Sequence, residues 1–204
     1  MFSTALGTAK RSIMLKLRYD TPLEWVRIVE NNMNKFLKDH AHSERKVAAA
    51  ALTLVAHQPQ RPELVNALVD LAREELSHFR EVLNRLEQEG QWLTKDEPDA
   101  YMTALHKMIR RGDTDHYFLD RLLVFGLVEA RGCERFYLLG KHLPEGAWKD
   151  FYAGLAKAEA RHHGLFLRLA RSYFSEEEVL ARVDELLDSE AKLVESLPLR
   201  PALH

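Results

Sequence analysis

The sequence predicts an all-α protein: a four-helix bundle with a long crossover and several shorter helices. Three observations carry the prediction. Almost every long segment repeats its apolar residues with a period near 3.6. No stretch alternates Val, Ile and Thr as a half-buried strand would. Breakers rich in Pro, Gly and Asp divide the chain at helix-length intervals.

The elements follow in order. "DTP" at 20–22 reads as a helix start, with Thr21 as N-cap and Pro22 in the first turn of a short helix over about 22–38. The four bundle helices are expected at about 41–57, 62–89, 114–140 and 145–173. "HQPQRPE" at 57–63 and "GKHLPEG" at 140–146 are the turns within two hairpins. "EGQWLTKDEPD" at 89–99 is a loop that leads into a short helix over about 97–110, and "RGDTD" at 111–115 opens the third long helix. "SEEE" at 175–178 caps a last amphipathic helix to about 195. No low-complexity linker interrupts the chain, so residues 1–204 are expected to form a single domain.

Composition narrows the function classes. A chain that is 46% hydrophobic and 29% charged fits a soluble globular protein. A net charge of −2 gives no global positive field for nucleic acid, so an RNA partner would need a local patch. The single cysteine, Cys133, excludes a disulfide framework and any Cys-x-x-Cys site, which fits a cytoplasmic protein. The longest apolar run, "VAAAALTLVA" at 47–56, is about half a membrane span, so no membrane role is expected.

The informative anomaly lies on the apolar stripes. Glu75 and His78 sit in line with Leu68, Leu71 and Val82. Glu159 and His162 sit in line with Leu155, Phe166 and Leu169. Residues three apart share a helix face. With 20 glutamates and 10 histidines, chance alone gives about one Glu-x-x-His, so the two present mean little by count. Position adds the information. Glu44 lies among Ala41, Ala48, Ala51 and Val55, and Glu129 among Leu122, Phe125, Cys133 and Phe136. The Glu44–Glu75 and Glu129–Glu159 intervals are 31 and 30 residues, each folded about a turn near its middle. At about 1.5 Å per helical residue, each hairpin returns its second Glu to the height of its first.

Four carboxylates and two imidazoles at one level of a four-helix bundle form the ligand set of a di-iron or di-manganese site. Two divalent cations would offset the cost of burying four like charges. Glu75 and Glu159 are expected to bridge, Glu44 and Glu129 to be terminal, and His78 and His162 to give one nitrogen to each metal. Oxygen-rich ligation with one imidazole per metal suits iron or manganese better than zinc. Around this set, Glu74 can reach across to His162, Arg161 can pair with a nearby carboxylate, and Cys133 can line the space beside the metals. His40, His42 and His163 are set aside as ligands.

The segments "SERKVAAAALTLV", "LAREELSHFREVL", "LVEARGCERFYLL" and "LAKAEARHHGLFL" resemble the tRNA 2-methylthio-N6-isopentenyladenosine hydroxylases, the MiaE family. "VEARGCERF" is the most specific, and the likeness runs over about 20–175. The resemblance implies a ferritin-like fold and a non-haem di-iron monooxygenase. Glu44, Glu75, His78, Glu129, Glu159 and His162 match the family's ligands one by one. It also implies two iron ions, O2 as co-substrate, and two electrons from a donor of ferredoxin or reductase type. The substrate would be the prenylated adenosine beside the anticodon in tRNA, hydroxylated on a terminal methyl. A monomer or small oligomer in the cytoplasm is expected. Candidate RNA contacts are Arg45, Lys46, Arg110 and Arg111, with Lys10, Arg11, Lys16 and Arg18 near the start. Trp92 or Tyr101 could stack a base, although core packing is the expectation for both. The rivals are a ferritin-like ferroxidase, a quinone hydroxylase of the same superfamily, and a metal-free structural bundle.

Overall fold

The structure, a computed structural model, describes residues 15–204 apart from the side chain of His163. Lys10 and Arg11 therefore lie outside the described residues. Every regular element described is a helix: α1 Glu24–Glu30, α2 Met33–His57, α3 Pro62–Gln88, α4 Ala100–Met108, α5 Thr114–His142, α6 Ala147–Glu159, α7 His162–Tyr173 and α8 Glu176–Ser196. None is long and apolar enough to cross a membrane.

Local chemistry sets most of the helix ends. Pro62 opens α3, where its missing N–H costs nothing. Asp99 accepts from the Met102 N–H at 3.0 Å, Asp113 from the N–H groups of Asp115 and His116, and Ser175 from Glu178. Gly146, at φ 144°, supplies the left-handed turn before α6. Gly140 serves packing instead. A Cβ there would lie 2.6 Å from the Ala153 nitrogen, so only glycine lets α5 and α6 approach so closely.

Three expectations need correction. The first long helix begins at Met33, not near 41, because the break falls at Asn31–Asn32. Asn32 leaves the helical region (φ −136°, ψ 36°) and its amide donates back to the Ile28 carbonyl. Asp39, at the expected break, instead accepts from the Leu203 N–H at 2.6 Å. Thr21 does not cap α1. Its N–H and hydroxyl both donate to Glu134, at 2.9 and 2.7 Å. The fourth bundle helix is not continuous over 145–173. It is interrupted at Ala160–Arg161, where the Arg161 N–H closes a tighter turn onto the Ala158 carbonyl.

α2 packs mainly on α3, and α5 on α6 and α7, while α4 and α8 pack on each other and α8 also reaches α5. The core has two parts. One gathers Trp25, Phe36, Phe136, Phe151 and Tyr152. The other gathers Leu54, Leu68, Leu122, Phe118 and Phe166. Each bundle helix runs from one part into the other: α2 from Phe36 to Leu54, α3 from Leu64 to Leu86, α5 from Phe118 to Leu139, and α6–α7 from Phe151 to Ala170. Between them lies a polar layer that contains Glu44, Glu75, Glu129 and Glu159, each at most 6% exposed.

Candidate metal centre

The polar layer brings together all six residues picked out on the stripes. Glu44, Glu75, His78 and Glu159 can each offer one atom within 4.8 Å of one another, and so can Glu75, Glu129, Glu159 and His162. Glu75 and Glu159 are common to both groups. Both histidines turn Nδ1 toward the carboxylates. His162 Nδ1 lies 2.6 Å from Glu159 Oε2 and 2.9 Å from Glu75 Oε1, and His78 Nδ1 lies 3.0 Å from Glu159 Oε1.

Whether these residues fit a metal pair is decided by what they leave unpaired. Six buried side-chain polar atoms among the described residues have no hydrogen-bond partner, and four are Glu75 Oε1, His78 Nδ1, Glu129 Oε1 and Glu159 Oε1. Native interiors rarely leave such atoms orphaned. Here they crowd one space at close distance without the alignment of hydrogen bonds. That is the arrangement of donors around a cation, and the donor set fits two divalent metals.

The electrostatics agree. Burial, with Glu75 close by, raises the Glu44 carboxyl well above the usual range. Burial and the charges of Glu75 and Glu159 do the same to Glu129. Burial works against the His78 imidazolium, yet Glu159 and Glu75 push it up to about 10. His162 is likewise opposed by burial but carried by Glu159 and Glu75 to about 12. Burial would raise Glu75, but the nearby imidazoles of His162 and His78 hold it below the usual carboxylate range. Without a cation, this environment favours protons on Glu44, Glu129 and the two imidazoles. Cations would take the place of those protons.

The surroundings are uneven. Glu74 Oε2 lies 2.9 Å from His162 Nε2, and Arg161 Nη2 lies 3.6 Å from the same oxygen. His40, set aside in the sequence, is fully buried with Nε2 2.6 Å from Glu44 Oε1. Burial lowers its pKa to about 3, so it stays neutral. The Tyr152 hydroxyl lies 3.4 Å from its Nδ1. If Tyr152 donates there, His40 carries its proton on Nε2 and donates it to Glu44. The i,i+4 spacing of His40 and Glu44 was the available signal. His42 points elsewhere, 2.8 Å from the Thr94 carbonyl. Cys133 donates weakly to the Ala156 carbonyl at 3.6 Å, and burial pushes its thiol up to about 11. It lines a small cavity together with Glu44, Glu75, Glu129 and Glu159.

The basic candidates do not gather into one patch. Arg45 and Lys46 both lean on Asp96, at 3.5 and 3.4 Å. Arg110 holds the buried Asp120 at 2.7 Å together with Arg182, so its charge is engaged, while Arg111 is exposed. Lys16 is exposed, and Arg18 pairs with Asp184 and Asp188. Tyr101 is buried and donates to Glu190 at 3.1 Å. Trp92, expected in the core, is 70% exposed.

The chain is similar in sequence and in fold to known proteins. Residues 9–204 match the family model described as tRNA-(MS[2]IO[6]A)-hydroxylase (MiaE). A Pseudomonas putida protein named tRNA 2-(methylsulfanyl)-N(6)-isopentenyladenosine(37) hydroxylase is 35% identical over 176 residues, covering 86% of this chain and 85% of that one. A Salmonella typhimurium protein of the same name is 33% identical over 136 residues, which span 67% of this chain and 49% of that longer one. Among solved structures, a Synechococcus protein described as having aldehyde deformylating oxygenase activity superposes with a TM-score of 0.87. It is 36% identical, and the match covers 92% of this chain and 94% of that chain.

Proposed function

Because the chain belongs to the MiaE family of tRNA hydroxylases, we propose that it is a di-iron monooxygenase acting on the isopentenyl group of 2-methylthio-N6-isopentenyladenosine in tRNA. The observation that carries this reading is the pair of overlapping Glu3His groups with four orphaned atoms facing one another. Glu44, Glu75, His78, Glu129, Glu159 and His162 would hold the metals. Two irons bound there would supply the O2 reduction that hydroxylating an unactivated carbon requires.

The overall reaction is R–H + O2 + 2 e− + 2 H+ → R–OH + H2O, with the electrons from a ferredoxin- or reductase-type donor. The chain's own residues hold and orient. Glu75 and Glu159, common to both groups, would be available to either metal. His40 fixes the face of Glu44, and Glu74 fixes the ring of His162. Phe136, Val128 and Val47 give the small cavity its apolar walls. A cytoplasmic location would suit a tRNA substrate.

The test is to incubate the iron-loaded protein with isopentenylated tRNA, O2 and a chemical reductant, then digest and weigh the nucleosides. The expected product is the prenylated adenosine with one oxygen added, absent with Glu159→Ala. The Synechococcus neighbour favours one second reading, an oxygenase that deformylates an aldehyde. Unchanged tRNA, with an aldehyde deformylated instead, would select it.

A further inference from the structure

Two openings approach the ligand layer from different sides. The larger, about 1000 Å3, runs outside α5 and α6 and is bordered by Leu15, Lys16 and Asp20. It meets the small cavity beside the ligands at one residue, Cys133. The smaller, about 360 Å3, lies between α2, α4 and α5. It shares Ser43, Val47, Val128 and His204 with that cavity. We propose that this second cleft receives the prenyl arm of the adenosine, with anticodon-loop phosphates on Arg45, Lys46 and Arg121 at its edge. The proposal rests on the tRNA reading above and says where that substrate enters.

Position favours the cleft first. Val47 follows Glu44 by one turn, and Val128 is the neighbour of Glu129. The cleft therefore reaches the layer from the α2–α5 side, where the end carboxylates are. His78 and His162 come from the other two bundle arms, α3 and α7. A group entering here meets the carboxylate side of the site and need not pass the imidazoles.

The walls fit a hydrocarbon group. Val47, Ala50, Met102, Ile109, Val124 and Phe125 give an apolar lining. The inner end is His204, whose ring stacks on Tyr101 at 5.4 Å and 8° and lies 3.4 Å from the Val128 carbonyl. The segment carrying it is tied down: the Ala202 carbonyl accepts from Trp25 and Arg135, and the Leu203 N–H donates to Asp39.

Charge favours the same opening. Arg45, Lys46 and Arg121 border the cleft against one carboxylate, Asp99, which is occupied as the α4 cap. Arg45 and Lys46 hold Asp96 only at 3.4–3.5 Å, pairs that phosphate oxygens can replace. The larger groove sets Lys16, Lys141 and Lys157 against both Asp20 and Glu134.

The test compares a labelled anticodon stem–loop with and without the isopentenyl group. Fluorescence anisotropy is read on iron-loaded protein kept free of O2, so that nothing turns over. Burying even two prenyl carbons should give the prenylated RNA an advantage of roughly tenfold. Ala50→Trp, which fills the cleft, should bring that ratio to about one, and Ala50→Leu should reduce it in the same direction. Ala156→Trp, in the larger groove, should leave it intact. Arg45→Gln with Arg121→Gln should weaken both RNAs alike. Circular dichroism and bound iron establish that each variant is folded and loaded. A ratio that survives both Ala50 variants, or disappears in Ala156→Trp, overturns the cleft assignment alone. A wild-type ratio of one overturns the tRNA reading and the cleft with it.

Discussion

The two Glu-x-x-His segments are twins in sequence and differ in structure. On α3, Glu75 and His78 lie inside an unbroken helix of 27 residues. In the other arm Glu159 closes α6 and His162 opens α7, with Ala160 and Arg161 between them. Their supports alternate as well. In the His78 group Glu44 is anchored by His40, while His78 Nδ1 has no bonded partner. In the His162 group the histidine is anchored by Glu74, while Glu129 Oε1 is the orphan. Equal spacing in sequence thus gives two groups that each have one fixed and one looser end residue.

The largest expected effect comes from removing what the groups share. Glu75→Ala or Glu159→Ala should take bound metal from two per chain toward none and reduce turnover by more than ~100-fold. Glu129→Ala should leave the His78 group able to hold one metal. A Glu129→Ala protein that binds no metal at all would dissolve the distinction between the groups. Next come the supports. His40→Ala should weaken metal binding in the His78 group, and Glu74→Ala in the His162 group, each by roughly 10–100-fold in a chelator competition. Equal weakening of both groups by either variant would refute the pairing.

A smaller effect separates the metal-free from the loaded layer. His78 and His162 have folded pKa values of about 10 and about 12, above the ordinary imidazole value. A raised folded pKa contributes stability that is complete below the unfolded value and is lost as pH rises through the folded one. The buried acids Glu44 and Glu129, also raised, act with the same sign. The metal-free protein should therefore lose Tm steadily from pH 7 to 10, while the loaded protein changes less. Parallel curves would show that protons do not stand in for metal. The smallest effect tests the break itself. Ala49→Gly in continuous α2, exposed like Ala160, should cost about 1 kcal/mol in urea unfolding, and Ala160→Gly less than ~0.5 kcal/mol. Equal costs would mean that Ala160 behaves as helix interior.

Most of the helical frame was legible because its ends carry their own chemistry: Pro62, Asp113 and Ser175 act within a turn of where they stand. The six clustered residues were legible because a carboxylate on an apolar stripe contradicts its neighbours, and four such contradictions fell at one height. The break at Ala160–Arg161 was not legible, since alanine and arginine are both good helix formers and only the bundle's packing distinguishes that turn. Thr21 was misplaced because its partner, Glu134, is 113 residues away. His40 was passed over because its neutrality depends on Phe36, Phe136 and Tyr152, which close around it only in the fold. Arg110 looked like a free cation because Asp120, which it neutralises, belongs to the next helix.

The polar layer between two apolar cores also bears on how the molecule comes apart. Melting either core alone would strand half of every long helix, so backbone continuity ties the two together across their most charged cross-section. The exception is the arm already interrupted at Ala160–Arg161. There the cheapest partial opening should begin, freeing Glu159 and His162 together while Glu44 and Glu75 stay in register. A metal held there would then enter and leave through a brief loosening of one arm, and its exchange rate would be set by a two-residue stretch of backbone as well as by the side chains that hold it.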